Sequence, residues 1–139
     1  MTSSWTKTVF IYTDGASRGN PGPSALGLQV FNSEKKLIYE EGVCLKQGTN
    51  NFAEYSAVVY ALELAVKHEV QELHLFSDSE LLVRQLEGKY RVKSPNIKPL
   101  FQKCLTLIKS IPKAHFQHIP REKNAAADRL ANQALDLNT

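Results

Sequence analysis

The sequence predicts one α/β domain built on a mixed sheet, and three observations predict it. Apolar runs of strand length recur at residues 7–13, 25–31, 37–45, 72–76 and 113–119. Segments 51–68, 79–86, 100–108 and 124–135 instead repeat their apolar residues at helical spacing, so strands and helices share one chain. At 139 residues, 42% hydrophobic and 22% charged, the chain has material for one core and is short for two. Residues 1–139 therefore read as a single domain, with the core over about 7–136.

Taken in order, residues 7–13 (KTVFIYT) are apolar on both faces, as in the central strand of a covered sheet. The glycine-rich stretch GASRGNPG then reads as a turn. Runs 25–31 and 37–45 are separated by Asn32-Ser33-Glu34-Lys35-Lys36, a polar stretch of hairpin length, which makes the first three strands antiparallel. From Asn51 to about His68 the period is helical, with Tyr55, Val58, Val59, Leu62 and Val66 on one side. Residues 72–76 return to strand character, and 79–86 form a short helix stopped at Gly88. Pro95 and Pro99 punctuate a loop before helical spacing resumes at 100–108. A last strand at 113–119 precedes the final helix, and no repeat, low-complexity tract or linker interrupts the order.

The formal net charge of +3 permits a polyanionic partner without requiring one. Cys44 and Cys104 lie far apart in apolar segments outside any CxxC pattern, which reads as buried free thiols in a reducing compartment. No apolar run approaches the roughly 18 residues of a membrane span, and the lead Thr2-Ser3-Ser4 is polar. A cytoplasmic protein with no membrane partner is expected.

Most of the 14 acidic residues sit in polar turns or helix flanks, where a solvated charge is unremarkable. Four sit elsewhere. Asp14 ends the first strand and Asp78 ends the fourth; if those strands are parallel neighbours, both carboxylates emerge at the same carboxyl edge of the sheet, where such sheets bind ligands. Glu54 shares the buried stripe of its helix with Val58, Ala61, Leu62 and Ala65. Asp128 lies in the first turn of the last helix, beside Ala127, Leu130, Ala131, Ala134 and Leu135. Each also has a local reading: Asp14 as a turn residue, Asp78 as a helix cap, Asp128 as a partner of the helix dipole. Together they are harder to explain locally, because converging carboxylates cannot all stay ionised without a cation. Oxygen ligands alone suit Mg²⁺ or Mn²⁺, and a pair of such ions is a known device for hydrolysing phosphodiesters.

The stretches YTDGASRGNPGP, TNNFAEYSA, FSDSELLVRQL and HIPREKNAAADRLANQA resemble, in order and spacing, the four motifs of type 1 ribonuclease H. The resemblance spans about residues 10–135. It implies a ribonuclease H-like fold, a five-stranded mixed sheet with three antiparallel strands followed by two parallel ones, flanked by helices. It implies endonucleolytic hydrolysis of the RNA strand of an RNA/DNA hybrid duplex, leaving 5′-phosphate and 3′-hydroxyl ends. The implied cofactor is Mg²⁺, or Mn²⁺ in its place, at two ions per site. By position, Asp14, Glu54, Asp78 and Asp128 are similar to the metal-binding tetrad: Asp14 bridging both ions, Glu54 and Asp78 near the leaving group, Asp128 holding the ion that activates water. His118 is similar to a flexible-loop histidine that assists proton transfer or product release, and stands otherwise as a plain loop residue. His68, His74 and His115 are left as structural.

Candidate substrate contacts come from Gly15, Ser17, Arg18 and Asn20 in the glycine turn, where glycines let a ligand backbone approach. Thr49, Asn50 and Asn51 precede a helix, where free N–H groups and amides suit phosphate and 2′-hydroxyl contacts; Asn51 also reads as the helix cap. Ser79 and Asn124 complete the set; Ser79-Glu80 stands where some relatives carry glutamine. The Lys/Trp-rich protrusion of some members is absent. Yet Arg84, Lys89, Arg91, Lys93, Lys98, Lys103, Lys109 and Lys113 face a single acid, Glu87, across that interval, which is either a track for DNA phosphates or a solvated surface. A monomer is expected. The competing readings are a non-catalytic hybrid- or RNA-binding domain, and an excised reverse transcriptase ribonuclease H domain.

Overall fold

Strand β1 (Thr8–Ser17) turns Val9, Ile11 and Thr13 to one face and Phe10 and Tyr12 to the other, in this computed structural model describing residues 5–137. The polar lead at residues 2–4 lies outside the described residues. The first face is sealed by α1 (Asn50–Lys67), whose Tyr55, Val58, Leu62 and Ala65 are fully buried with Val9 and Ile11. The second is only half-buried at Phe10 and Tyr12, so β1 is central but not covered on both faces as its composition suggests. The helix on that side, α4 (Ala125–Leu137), packs on β1, β2 (Gly22–Phe31) and β3 (Leu37–Gly48). Among the described residues no helix covers that face beyond them.

The sheet order is β3-β2-β1-β4-β5, with β4 at Glu72–Ser77 and β5 at Lys113–His118. β1 pairs antiparallel with β2 and parallel with β4, and β4 pairs parallel with β5, which is the mixed sheet expected. Helix α2 (Glu80–Leu86) is a short crossover element, and α3 (Lys98–Ile108) packs against α1. Among the described residues no helix is long and apolar enough to cross a membrane. Both cysteines are free, Cys104 buried and Cys44 only partly so.

Several boundaries differ from expectation for local reasons. β1 does not end at Asp14: the small residues Gly15, Ala16 and Ser17 keep antiparallel partners in Leu26, Ala25 and Ser24 after pairing with β4 stops at Tyr12–Phe76. The chain reverses at residues 18–22, where Arg18 N–H donates to the Pro23 carbonyl and the Asn20–Pro21 peptide is cis. Thr49, not Asn51, caps α1, accepting from Phe52 N–H. Ser79, not Asp78, caps α2, accepting from Leu82 N–H. α3 opens early because Pro99 suits a first helical turn. A 3₁₀ turn (Arg121–Lys123) precedes α4, so Asn124 stands outside the helix.

Candidate active site

Two close backbone approaches assemble the acidic cluster. A Cβ on Gly15 would stand 2.3 Å from the Ala53 carbonyl carbon and from Glu54 N, so the start of α1 rests directly on β1. The missing side chain therefore serves the helix rather than a ligand, and it brings Glu54 beside Asp14. On the other face, a Cβ on Gly27 would meet the Ala127 carbonyl oxygen at 2.2 Å and Ala131 N at 2.7 Å. Gly27 is the register partner of Asp14, so seating α4 on it delivers Asp128 to Asp14. Asp78 arrives from β4, one residue past its last strand position.

Asp14, Glu54 and Asp78 each offer a carboxylate oxygen, and these atoms lie within 4.8 Å of one another. Asp14 is 7% exposed. Burial, then the charge of Asp78, then a hydrogen bond with Asp128 and its charge push the Asp14 carboxyl up to about 8, against only a backbone N–H from Gly15. Burial and the Asp78 charge raise Glu54 to about 7, partly opposed by the Ser79 hydroxyl and the Arg121 guanidinium. An all-oxygen set in which burial and the neighbouring Asp78 charge disfavour the ionised forms of Asp14 and Glu54 is the arrangement a hard divalent cation relieves, so these residues fit such an ion. The helix-cap reading of Asp78 is gone, because Ser79 holds that role.

The surrounding side chains are tied down. Asn124, 2% exposed, donates from Nδ2 to the Thr13 carbonyl at 2.8 Å and to Asp78 Oδ2 at 3.4 Å. Asn132 donates to the carbonyl and carboxylate of Asp128, one turn earlier in α4. Asn50 accepts from Ser17 N–H at 3.0 Å and donates its own N–H to Asn20 Oδ1 at 2.9 Å. These three candidate substrate residues thus bond one another and splice the β1–β2 turn to the head of α1.

The cleft around the cluster is lined by Asp14, Gly15, Ala16, Ser17, Asn50, Glu54, Asp78, Arg121 and Asp128. Other expected residues fall elsewhere. Arg18 turns to the end of α4, ion-paired with Asp136 at 2.6 Å. His118 is the exposed last residue of β5, opposite Ser77, and not a loop residue. Asn51 and Thr49 stay at the α1 start, Thr49 with its hydroxyl engaged as the cap. Arg121 was not singled out from the sequence, although it lies inside the HIPREKN stretch between His118 and Asn124.

Comparison with known proteins gives a consistent picture. The family described as reverse transcriptase-like matches residues 12–134. The ribonuclease HI of Halobacterium salinarum is 38% identical over 128 residues, 92% of this chain and 64% of that protein. The crystal structure of RNase H1 from that archaeon superposes with a TM-score of 0.90 at 37% identity, covering 93% of this chain and 98% of that one. LC11-RNase H1, solved in complex with an RNA/DNA hybrid, superposes with a TM-score of 0.88 at 41% identity, covering 94% and 98%. The bifunctional protein Rv2228c of Mycobacterium tuberculosis is 36% identical over 129 residues, 92% of this chain. This chain spans only 35% of that protein's length.

Proposed function

The chain belongs to the ribonuclease HI family, and on that basis we propose that it is a metal-dependent endoribonuclease hydrolysing the RNA strand of RNA/DNA hybrids. The observation that carries this reading is the convergence of Asp14, Glu54 and Asp78, with Asp128 bonded to Asp14, in one cleft at the carboxyl edge of the sheet. A binding-only module would have no use for buried carboxylates brought together in this way.

Asp14, Glu54, Asp78 and Asp128 would hold two divalent ions, Mg²⁺ or Mn²⁺. Bound there, the ions supply activation of the attacking water and stabilisation of the leaving 3′ oxygen. Asp14, which meets the charges of both Asp78 and Asp128, would contribute to holding the ions. Asn132 keeps the Asp128 carboxylate turned to the cleft. Arg121, whose positive charge already acts on Glu54, is placed to meet a backbone phosphate. Asn20, Asn50 and Ser17 fix the rim on which the RNA strand would lie, where contacts to 2′-hydroxyls separate RNA from DNA. His118, exposed at the end of β5, is a candidate to assist proton transfer or product release. Free thiols fit a reducing compartment, and we place the protein in the cytoplasm.

The test is a cleavage panel of RNA/DNA hybrid, single-stranded RNA, double-stranded RNA and double-stranded DNA, each with Mg²⁺, Mn²⁺ or chelator. Cutting of the RNA in the hybrid alone, dependent on metal and reduced at least about 10³-fold in Asp14→Asn, is expected. Hybrid binding without cleavage under any metal would instead support the binding-module reading.

A further inference from the structure

At the opposite end of β4 lies a second group of ligand-type side chains. Glu72 and His74 are two residues apart on β4 and so share a face, and His115 of β5 is the register partner of His74. Glu72 Oε2 is 2.8 Å from His74 Nε2 and 3.8 Å from His115 Nε2, and the three ligand atoms lie within 4.8 Å of one another. We propose that Glu72, His74 and His115 form a binding site for a borderline transition-metal ion, with Zn²⁺ as the best fit. This site is separate from the acidic cluster and does not depend on the function assigned to it.

The donor set is the first argument. Two imidazoles and one carboxylate, with a further position left to solvent, is a familiar three-ligand zinc arrangement, whereas Mg²⁺ prefers oxygen alone. Preorganisation is the second. His74 is stacked between Phe10, at 4.9 Å, and His115, at 4.7 Å, which limits its ring to small movements. Metal–ligand arms of about 2.0–2.2 Å set tetrahedral ligand atoms roughly 3.4 Å apart, so the present spacings need adjustments of about an ångström, within reach of side-chain rotation. Access is the third: the side chains are 34%, 29% and 55% exposed, on the part of the sheet face that α4 leaves open. Lys113, the register partner of Glu72, is the one opposing charge built into the neighbouring strand position. From Glu72 to Asp78 the strand runs six steps, about 20 Å, so an ion here does not belong to the acidic cleft. It would tie the edge strand β5 to β4.

Calorimetric titration of the tag-free full chain with Zn²⁺, in saturating Mg²⁺, tests the proposal, with Co²⁺ as a spectroscopic probe. The expected result is one Zn²⁺ per chain and a visible Co²⁺ absorption band. Both persist in Asp14→Asn/Asp78→Asn, while His115→Ala and Glu72→Gln each weaken Zn²⁺ binding at least about tenfold with circular dichroism unchanged. Absence of Zn²⁺ binding, binding indifferent to both His115→Ala and Glu72→Gln, or binding lost in Asp14→Asn/Asp78→Asn would overturn it. A plain Glu72–histidine ion pair gives the first of these.

Discussion

Asp14 is held at about 8 and Glu54 at about 7, against ordinary values of 3.8 and 4.5, and this has a thermodynamic consequence in the metal-free protein. Between the ordinary and the raised values the folded state binds more protons than the unfolded one, so stability falls as pH rises. The stabilisation is complete below about pH 4 and is gone once pH passes about 8. His68, whose burial lowers its pKa, works in the opposite sense near neutrality, so a comparison between variants is cleaner than one curve. In chelator, the melting temperature of the wild type is expected to drop between about pH 5 and about pH 8.5. Asp14→Asn should flatten that drop and melt higher than wild type at the upper pH, and Mg²⁺ should flatten it for the wild type alone. Thermal melts across that range check it; a wild-type curve that stays level in chelator would contradict the account. The convergence of Asp14, Glu54 and Asp78 was legible in the sequence because each stands at a strand end or on a buried helix stripe, whereas Asp128, beside its stripe in a first helical turn, stood out only through the motif around it. Arg121 was not legible, since a lone arginine in a polar stretch has no pattern to break.

At the level of elements, the site depends on how closely two helices approach the sheet. The periodicity that revealed α1 and the run of alanines in α4 identified which faces pack, and the hairpin spacing identified the antiparallel strands. What that reasoning missed was the continuation of β1 through Gly15, Ala16 and Ser17, because a glycine-rich stretch reads as a turn unless its ladder partners are known. The cap at Thr49 was missed for a related reason: Thr49, Asn50 and Asn51 are all competent caps, and only the backbone geometry selects one. Gly27 tests the packing directly. Gly27→Ala puts a methyl group against the Ala127 carbonyl and lifts α4 from the sheet at the residue before Asp128. Overpacking of this kind costs about 1–3 kcal/mol, read from the urea midpoint. Cleavage under conditions where the variant is fully folded should fall by at least about tenfold, since about an ångström of misplacement is costly to catalysis. Wild-type turnover in folded Gly27→Ala would show that the seating of α4 does not position Asp128.

For the molecule as a whole, the small net charge of +3 conceals an uneven distribution. Between Arg84 and Lys113, several cations are already spent on local partners: Arg84 and Lys89 on Glu87, and Lys103 on Glu63. Arg91 and Lys93 are different. They are exposed on the segment between α2 and α3 and make no ion pair among the described residues. Together with Lys89, Tyr90 and Ser94 they line a cleft that reaches Asn51 at the start of α1, and Asn50 beside it lines the acidic cleft. A duplex gripped at the carboxylates would therefore pass over this segment, in a chain without the basic protrusion of some relatives. Each phosphate neutralised contributes about 0.9 to the slope of log K against log salt. Arg91→Ala/Lys93→Ala should lower hybrid affinity and reduce that slope by about 2, measured in the Asp14→Asn background so that the hybrid survives. In the cleavage-competent protein the same pair of changes should raise KM and leave kcat near wild type, because these residues hold the duplex and do not touch the reacting phosphate. An unchanged slope would mean that the duplex leaves the acidic cleft in another direction, and that the charge on this segment is only a solvated surface.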